Sequence, residues 1–404
     1  MTAAPARGSA REVFLAFLRL GLTSFGGPIA HLAYFRTEFV ERRAWMDDRE
    51  YADLVALSQF LPGPASSQVG FGIGLLRAGG RGALAAFVGF TLPSAALMVA
   101  FAYGAALISG PVGDGLLSGL KIVAVAIVAQ ALWGMARTLT PDARRAGIAA
   151  VALVCAVLVA GSWGQIAAIA VGVAGGLVLC RDAVAPRADM RTFPVSRTAG
   201  IVSLALFVAV LVGGPLLVLA TGAGAVALFD IFARAGALVF GGGHVVLPLL
   251  QAGLVAPGWV TDTQFLAGYG FGQAVPGPLF TVAAYLGAVA SVGPGGVAGA
   301  LIALIGIFLP GFLLLVGVLP FWNAVRRRSW AQAAMRGANA AVVGILAAAL
   351  YSPVFVSAVT DAPSFALAAV CFILLMAWKM PPWAVVLVAA AGGILIAVVS
   401  RLPH

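Results

Sequence analysis

Phe17-Leu18-Arg19-Leu20-Gly21-Leu22-Thr23-Ser24-Phe25-Gly26-Gly27 returns about 215 residues later as Phe232-Ala233-Arg234-Ala235-Gly236-Ala237-Leu238-Val239-Phe240-Gly241-Gly242. Each phrase leads to Trp-x-x-Asp and then to Gln-x-x-Pro-Gly-Pro. The first copy carries Trp45, Asp48, Gln59, Pro62, Gly63 and Pro64; the second carries Trp259, Asp262, Gln273, Pro276, Gly277 and Pro278. An arginine and two helix breakers, repeated inside apolar segments, are the mark of a duplicated membrane transporter. In such proteins the substrate sits where the helices are interrupted.

The surrounding composition agrees. Of 404 residues, 62% are hydrophobic and 9% charged, against about 25% charged in soluble domains, and the mean hydropathy is +1.06. Continuous apolar runs of bilayer-spanning length predict an all-α integral membrane protein with about 9 to 13 membrane segments. A β-barrel would instead alternate at every second residue. The net charge of +10 reads as arginine collected in cytoplasmic loops, with no nucleic-acid partner implied. No cleavable signal peptide is visible, because charged residues follow the first apolar segment. Cys155, Cys180 and Cys371 have no ligand spacing, so neither a metal site nor a cofactor is expected.

Loop arginines give the topology. Arg36, Arg42, Arg43 and Arg49 precede the apolar segment 51–76, and Arg77 and Arg81 follow it. Two positive flanks predict a re-entrant hairpin that dips in from the cytoplasm and turns at Pro62-Gly63-Pro64. The segment 12–34, with Arg7 and Arg11 before it and Arg36 after it, breaks similarly at Gly26-Gly27-Pro28. The flanks of 264–290 hold no lysine or arginine, so the second hairpin enters from outside. Arg137, Arg144, Arg145, Arg181, Arg187, Arg191, Arg197, Arg326 to Arg328 and Lys379 then fall inside, and Arg401 outside. The expected plan is an N-terminal repeat over 1–180, a basic cytoplasmic linker with one connecting transmembrane helix over 181–224, and an inverted C-terminal repeat over 225–404. The extra crossing at 199–221 makes the halves antiparallel.

Arg19 and Arg234 are the first candidates for substrate binding. A charge inside an apolar segment costs at least ~2.5–3.5 kcal/mol on insertion scales, and a guanidinium fork suits an oxyanion. For Arg19 the alternative is snorkelling to the nearby segment end. Gly26, Gly27, Gly241, Gly242 and Gly243 free backbone amides to face a ligand; close helix packing is their alternative role. Pro64 and Pro278 start new half-helices whose positive ends lie within the membrane, beside Gly63 and Gly277; a plain kink is the alternative. Ser66, Ser67, Gln68 and Thr281 add neutral donors. Gln59 and Gln273 are placed to hold the broken ends together.

His31 and His244 lie near, not at, equivalent positions, and either titrates near neutrality unless it is structural. Asp230 precedes Arg234 by one helical turn, as ion-pair partner or proton-coupling site. Lys121 is a possible secondary anion contact. Asp48 and Asp262 read as helix N-caps after interfacial tryptophans.

The paired Phe-Gly-Gly and Gln-x-x-Pro-Gly-Pro motifs resemble those of the chromate transporter family of bacterial inner-membrane proteins. The stretches from Phe17 to Pro64 and from Phe232 to Tyr285 carry the resemblance, which extends over nearly the whole chain. It implies a two-domain protein with antiparallel halves that exports chromate, a tetrahedral dianion similar to sulfate, and gives chromate resistance. Membrane potential alone favours dianion export, and proton antiport would add to it. Sulfate is the nearest rival substrate, and a homodimer is a possible assembly. A channel is a further rival. An intramembrane enzyme is disfavoured: there is no His-Glu-x-x-His, no paired intramembrane aspartates and no Ser-His constellation.

Overall fold

The computed structural model describes residues 8–107, 110–159, 162–181, 193–240 and 243–400, which are helical throughout apart from short connections. Gly241 and Gly242 lie outside the described residues, as do Arg7, Arg187, Arg191 and Arg401. Six described helices are long and apolar enough to cross a membrane, by length and composition: Ala65–Ala105, Gly110–Leu139, Arg197–Thr221, Gly296–Val325, Ser329–Ala358 and Pro382–Val399.

The N-terminal half runs through α1 (Ala10–Thr23), α2 (Gly27–Arg36), α3 (Asp48–Phe60), α4 (Ala65–Leu107), α5 (Gly110–Leu139), α6 (Ala143–Leu158) and α7 (Ser162–Leu179). Helix α8 (Arg197–Thr221) follows as the connecting helix. Between its Ser196 and Gly222 caps runs an apolar stretch that exposes Ile201, Leu206, Leu216 and Leu219, a surface suited to lipid. The second half repeats the order through α9 (Gly224–Leu238), α10 (Val246–Leu254), α11 (Asp262–Gly272), α12 (Val282–Val289) and α13 (Gly296–Val318). It then continues through α14 (Trp322–Val325), α15 (Ser329–Ala349), α16 (Val356–Ala358), α17 (Ala362–Met376) and α18 (Pro382–Val399).

Both repeats contain the expected hairpins. Helix α4 is not straight: Ala78 and Gly79 leave helical geometry, and the chain doubles back so that Gly74 meets Gly82 backbone to backbone. The 77–81 connection is therefore a tight reversal rather than a loop. Gly287 and Gly299 make the same contact in the second half. The two ends of each hairpin lie together. The Arg77 guanidinium sits 5.0 Å over the Trp45 ring, and the matching Ser291 donates its amide to the Trp259 carbonyl at 2.9 Å. At 1.5 Å per residue, the 13-residue α3 is about 20 Å long, too short to cross a hydrocarbon core of about 30 Å.

The repeated phrase also fixes packing. Its glycine lets one helix lie against another: a Cβ on Gly21 would stand 2.7 Å from the Phe90 carbonyl oxygen, and one on Gly236 2.1 Å from that of Ile307. Thus α1 packs on the returning arm of α4, and α9 packs on α13. Phe17 and Phe232 are both fully buried in these seams. Phe17 stacks on Phe39 at 4.8 Å, and Phe71 stacks on Phe312 at 4.5 Å between the halves. Such pairs add about 0.5–1.5 kcal/mol beyond burial.

The expected N-caps shift by one residue. Asp47 and Thr261 cap α3 and α11, each in a capping box with Glu50 or Gln264. Asp48, in the first turn, instead binds the Arg36 guanidinium at 2.7 Å.

Candidate functional site at the crossed helix breaks

Each hairpin turns at a Pro-Gly-Pro. The flanking prolines lack an N–H and interrupt the helix, while Gly63 (φ 128°) and Gly277 (φ 98°) adopt left-handed backbone that side chains disfavour. The exposed amide at each tip then has one place to go, the other repeat. Gly63 N–H donates to the Val239 carbonyl at 2.7 Å, and Gly277 N–H donates to the Ser24 carbonyl at 2.9 Å. Ser24 and Val239 are matched residues, each immediately before Phe-Gly-Gly. Every hairpin tip is thereby latched to the break of the opposite repeat.

A second reciprocal contact reinforces the first. A Cβ on Gly63 would lie 3.1 Å from Gly311 Cα, and one on Gly277 would lie 2.8 Å from Ser94 Oγ. Gly311 follows Pro310 in α13, and Ser94 follows Pro93 in α4. The Gln68 amide ties the first tip down, donating to the Pro62 carbonyl at 3.1 Å and to the Gly311 carbonyl at 2.9 Å.

Polar side chains gather at this crossing. Ser24, His31, Ser66, Ser67, Gln68, Thr91 and Ser94 are all buried in a chain that buries few polar groups. His31 Nδ1 lies 3.4 Å from Ser66 Oγ, its ring 5.2 Å from that of Phe90. Ser94 donates to the Thr91 carbonyl at 3.0 Å. Ser24 Oγ, His31 Nε2, Ser67 Oγ, Gln68 Oε1 and Thr91 Oγ1 are buried without a partner. A buried polar atom left unmade costs about 1–3 kcal/mol. Five around one crossing leave hydrogen-bonding capacity concentrated there. Three hydroxyls and an imidazole, next to the open first turn of α4, supply donors to an anion's oxygens without adding charge.

The arginines lie elsewhere in the fold. Arg19 is exposed on α1 beside Leu15 and Leu22. Arg234 binds the buried Asp230 carboxylate at 2.5 Å and lines a cavity of about 240 Å³ with Gln165, Ile231 and Leu249. Asp230 is therefore the partner that its spacing suggested. Gln59 is exposed, and Gln273 Nε2 is buried without a partner; the tying role expected of them belongs to Gln68. The Thr281 hydroxyl donates to the Pro278 carbonyl at 2.8 Å, closing its own turn. Gly243 packs on Leu279 and Phe280, just past Pro278. Gly26 and Gly27 follow the buried Ser24 closely; Gly27 has open space around it, whereas a Cβ on Gly26 would stand 3.1 Å from Ala30 Cβ. His244 Nδ1 meets the Tyr269 hydroxyl at 2.6 Å. Lys121 Nζ reaches Thr263 Oγ1 at 3.3 Å, at the start of α11 and away from the crossing.

Ser24, Thr91, Ser94 and Gln165 were not singled out by the sequence. Ser24 stands beside the repeated motif, and Pro93-Ser94 pairs with Pro310-Gly311 between the repeats, which is the signal that was available. Among the described residues no cluster of His, Cys, Asp or Glu is arranged to hold a metal.

Comparison with known proteins adds the family. The family model described as "Chromate transporter" matches residues 11–228 and again 226–394. A chromate transport protein of Pseudomonas aeruginosa is 30% identical over 96% of this chain and 92% of its own length. A probable chromate transport protein of Synechococcus elongatus is 27% identical, covering 96% and 95%. A chromate transport protein of Cupriavidus metallidurans is 26% identical, covering 91% and 88%. No solved structure matches. The chain belongs to the chromate transporter family: a duplicated, multi-pass α-helical membrane protein of a transporter family, not an enzyme.

Proposed function

We propose that this member of the chromate transporter family exports chromate from the cytoplasm by alternating access, in a bacterial inner membrane with its N-terminus inside. The guest site is the crossing of the two Pro-Gly-Pro tips, and the observation that carries the reading is the reciprocal latch from Gly63 to Val239 and from Gly277 to Ser24. A tetrahedral dianion takes hydrogen bonds from the Ser24, Ser66, Ser67 and Thr91 hydroxyls, from His31, and from the amides that begin the half-helices after Pro64 and Pro278. Gly26 and Gly27, beside Ser24, give the guest backbone amides. Arg19 and Arg234 supply fixed positive charge on the two helices that lead into the breaks.

Antiparallel halves suit this reading. The loop-arginine pattern supports entry of the two hairpins from opposite faces, and a crossing reached from both faces is what alternating access requires. One charge crossing 100 mV is worth about 2.3 kcal/mol, so a dianion leaving a negative-inside cell gains roughly twice that. Membrane potential is then a sufficient driving force.

The test is radiolabelled chromate and sulfate uptake into inverted vesicles, with potential and pH gradient collapsed separately. Chromate uptake that follows the potential is expected. Sulfate uptake with no response to chromate overturns the substrate. Wild-type rates in Arg19→Ala and Arg234→Ala remove the arginines from the account.

A further inference from the structure

Asp230 and Arg234 break the symmetry of the repeat. Arg234 has its counterpart in Arg19, but the position matching Asp230 is Leu15. The carboxylate is 3% exposed, whereas the guanidinium is 41% exposed and lines the cavity between α7, α9 and α10. Across that cavity stands Gln165 on α7, itself 8% exposed, its amide donating to the Pro248 carbonyl at 2.7 Å. Three buried atoms here have no partner: Asp230 Oδ1, Arg234 Nε and Gln165 Oε1.

The pair is electrically isolated. Helices α7, α10 and α13 contain no titratable side chain other than those of this site, and α8 carries only Arg197 at its first residue. On α8 the residue facing the carboxylate is Gly214, where a Cβ would stand 2.5 Å from Asp230 Oδ1. The nearest histidine along the chain, His244, is engaged with Tyr269. Arg234 is thus the one described counter-charge bonded to Asp230, and the reverse.

We propose that Asp230, Arg234 and Gln165 form a linked site at which an oxyanion and a proton bind together. This rests on the oxyanion reading above. The cavity reaches Leu238, next to the latch residue Val239, and an oxyanion passing through it toward the crossing takes the Arg234 guanidinium from Asp230. The carboxylate, buried and stripped of its counter-charge, then takes a proton from water that enters with the anion. Linkage makes the effect mutual: protonation of Asp230 frees Arg234 for the anion. The sign is that of cotransport, opposite to proton antiport. One proton accompanying a dianion halves the charge moved across the membrane.

The test uses the full-length protein in inverted vesicles loaded with a pH-sensitive dye, pulsed with chromate. Lumenal acidification that accompanies chromate uptake in the wild type, with fewer protons moved per chromate in Asp230→Asn, is expected. Lumenal alkalinisation, or the same proton signal in both proteins, overturns the proposal. A wild type with no chromate uptake overturns the proposed function itself, so the two failures are distinct. Should Asp230→Asn not fold, chromate binding by the purified wild type in two buffers of different ionisation enthalpy reads the same linkage. Uptake of about one proton per anion, beyond a protein-free blank, is expected, and release or no exchange contradicts it.

Discussion

Gly63 donates its amide to the Val239 carbonyl at 2.7 Å, and its repeat mate Gly277 donates to Ser24 at 2.9 Å. The two bonds join the halves through residues that are silent in composition, since neither donor nor acceptor is a side chain. They also explain why the break is spelled Pro-Gly-Pro. The prolines expose the tip, and the glycine turns its amide outward.

Alanine at Gly63 or Gly277 meets a left-handed backbone worth about 1–2 kcal/mol of strain, plus atoms 2.8 Å from the new Cβ. Both Gly63→Ala and Gly277→Ala are expected to melt earlier in detergent and to lose most uptake. Matching losses at the two positions are the signature of a reciprocal latch.

Removing the unpartnered hydroxyls separates stability from function. Ser24→Ala, Ser67→Ala and Thr91→Val each delete a buried polar atom that has no hydrogen-bond partner within the protein. Melting temperatures should hold or rise slightly. Transport should need roughly tenfold more chromate per lost bond, about 1.4 kcal/mol. Uptake titrations and melting curves on the same preparations read both.

Much of this was legible in the sequence, for a physical reason. Breakers inside apolar segments are conspicuous, so the duplication, the hairpins and the breaks at Gly26-Gly27 and Pro62-Gly63-Pro64 could be located. Partnership between repeats was not. That Gly63 belongs with Val239 depends on how two hairpins cross, and no spacing in the chain records it. Arginine stands out in the sequence for the same reason: its cost in a membrane is obvious, while Ser24 and Thr91 look ordinary until burial removes their water. Gln59 and Gln273 occupy matched positions, yet Gln68 makes the tie, because it lies past the break on the face toward Gly311.

A cross-repeat ion pair offers a stability test. Arg326, in the second half, contacts Asp53 on α3 at 3.3 Å, with side-chain exposures of 7% and 22%. Breaking a buried pair from one side costs about 3–5 kcal/mol, and partial exposure of Asp53 puts this one toward the lower end. Asp53→Asn is expected to lower the melting temperature. A double-mutant cycle with Arg326→Gln should return a favourable coupling energy.

Acid sensitivity has a defined sign. Asp142 accepts the Arg145 amide as cap of α6, and Asp361 is bonded to Ser364 as cap of α17; these hydrogen bonds hold both carboxyls below the ordinary carboxylate range. A depressed carboxylate contributes its full stability above its unfolded value, about 3.9, and loses it as pH falls through the folded one. Asp142→Asn and Asp361→Asn should flatten the acid limb of a melting-temperature profile and leave its slope near neutrality unchanged.

The measurement closest to the central claim is chromate accumulation in inverted vesicles under an imposed membrane potential, comparing the wild type with Ser67→Ala/Thr91→Val at the crossing. Potential-driven accumulation by the wild type, reduced at least tenfold in the double variant at limiting chromate while its melting temperature holds, is the expected result. No accumulation above empty vesicles, or equal accumulation by the two proteins, contradicts a chromate site at the crossed breaks.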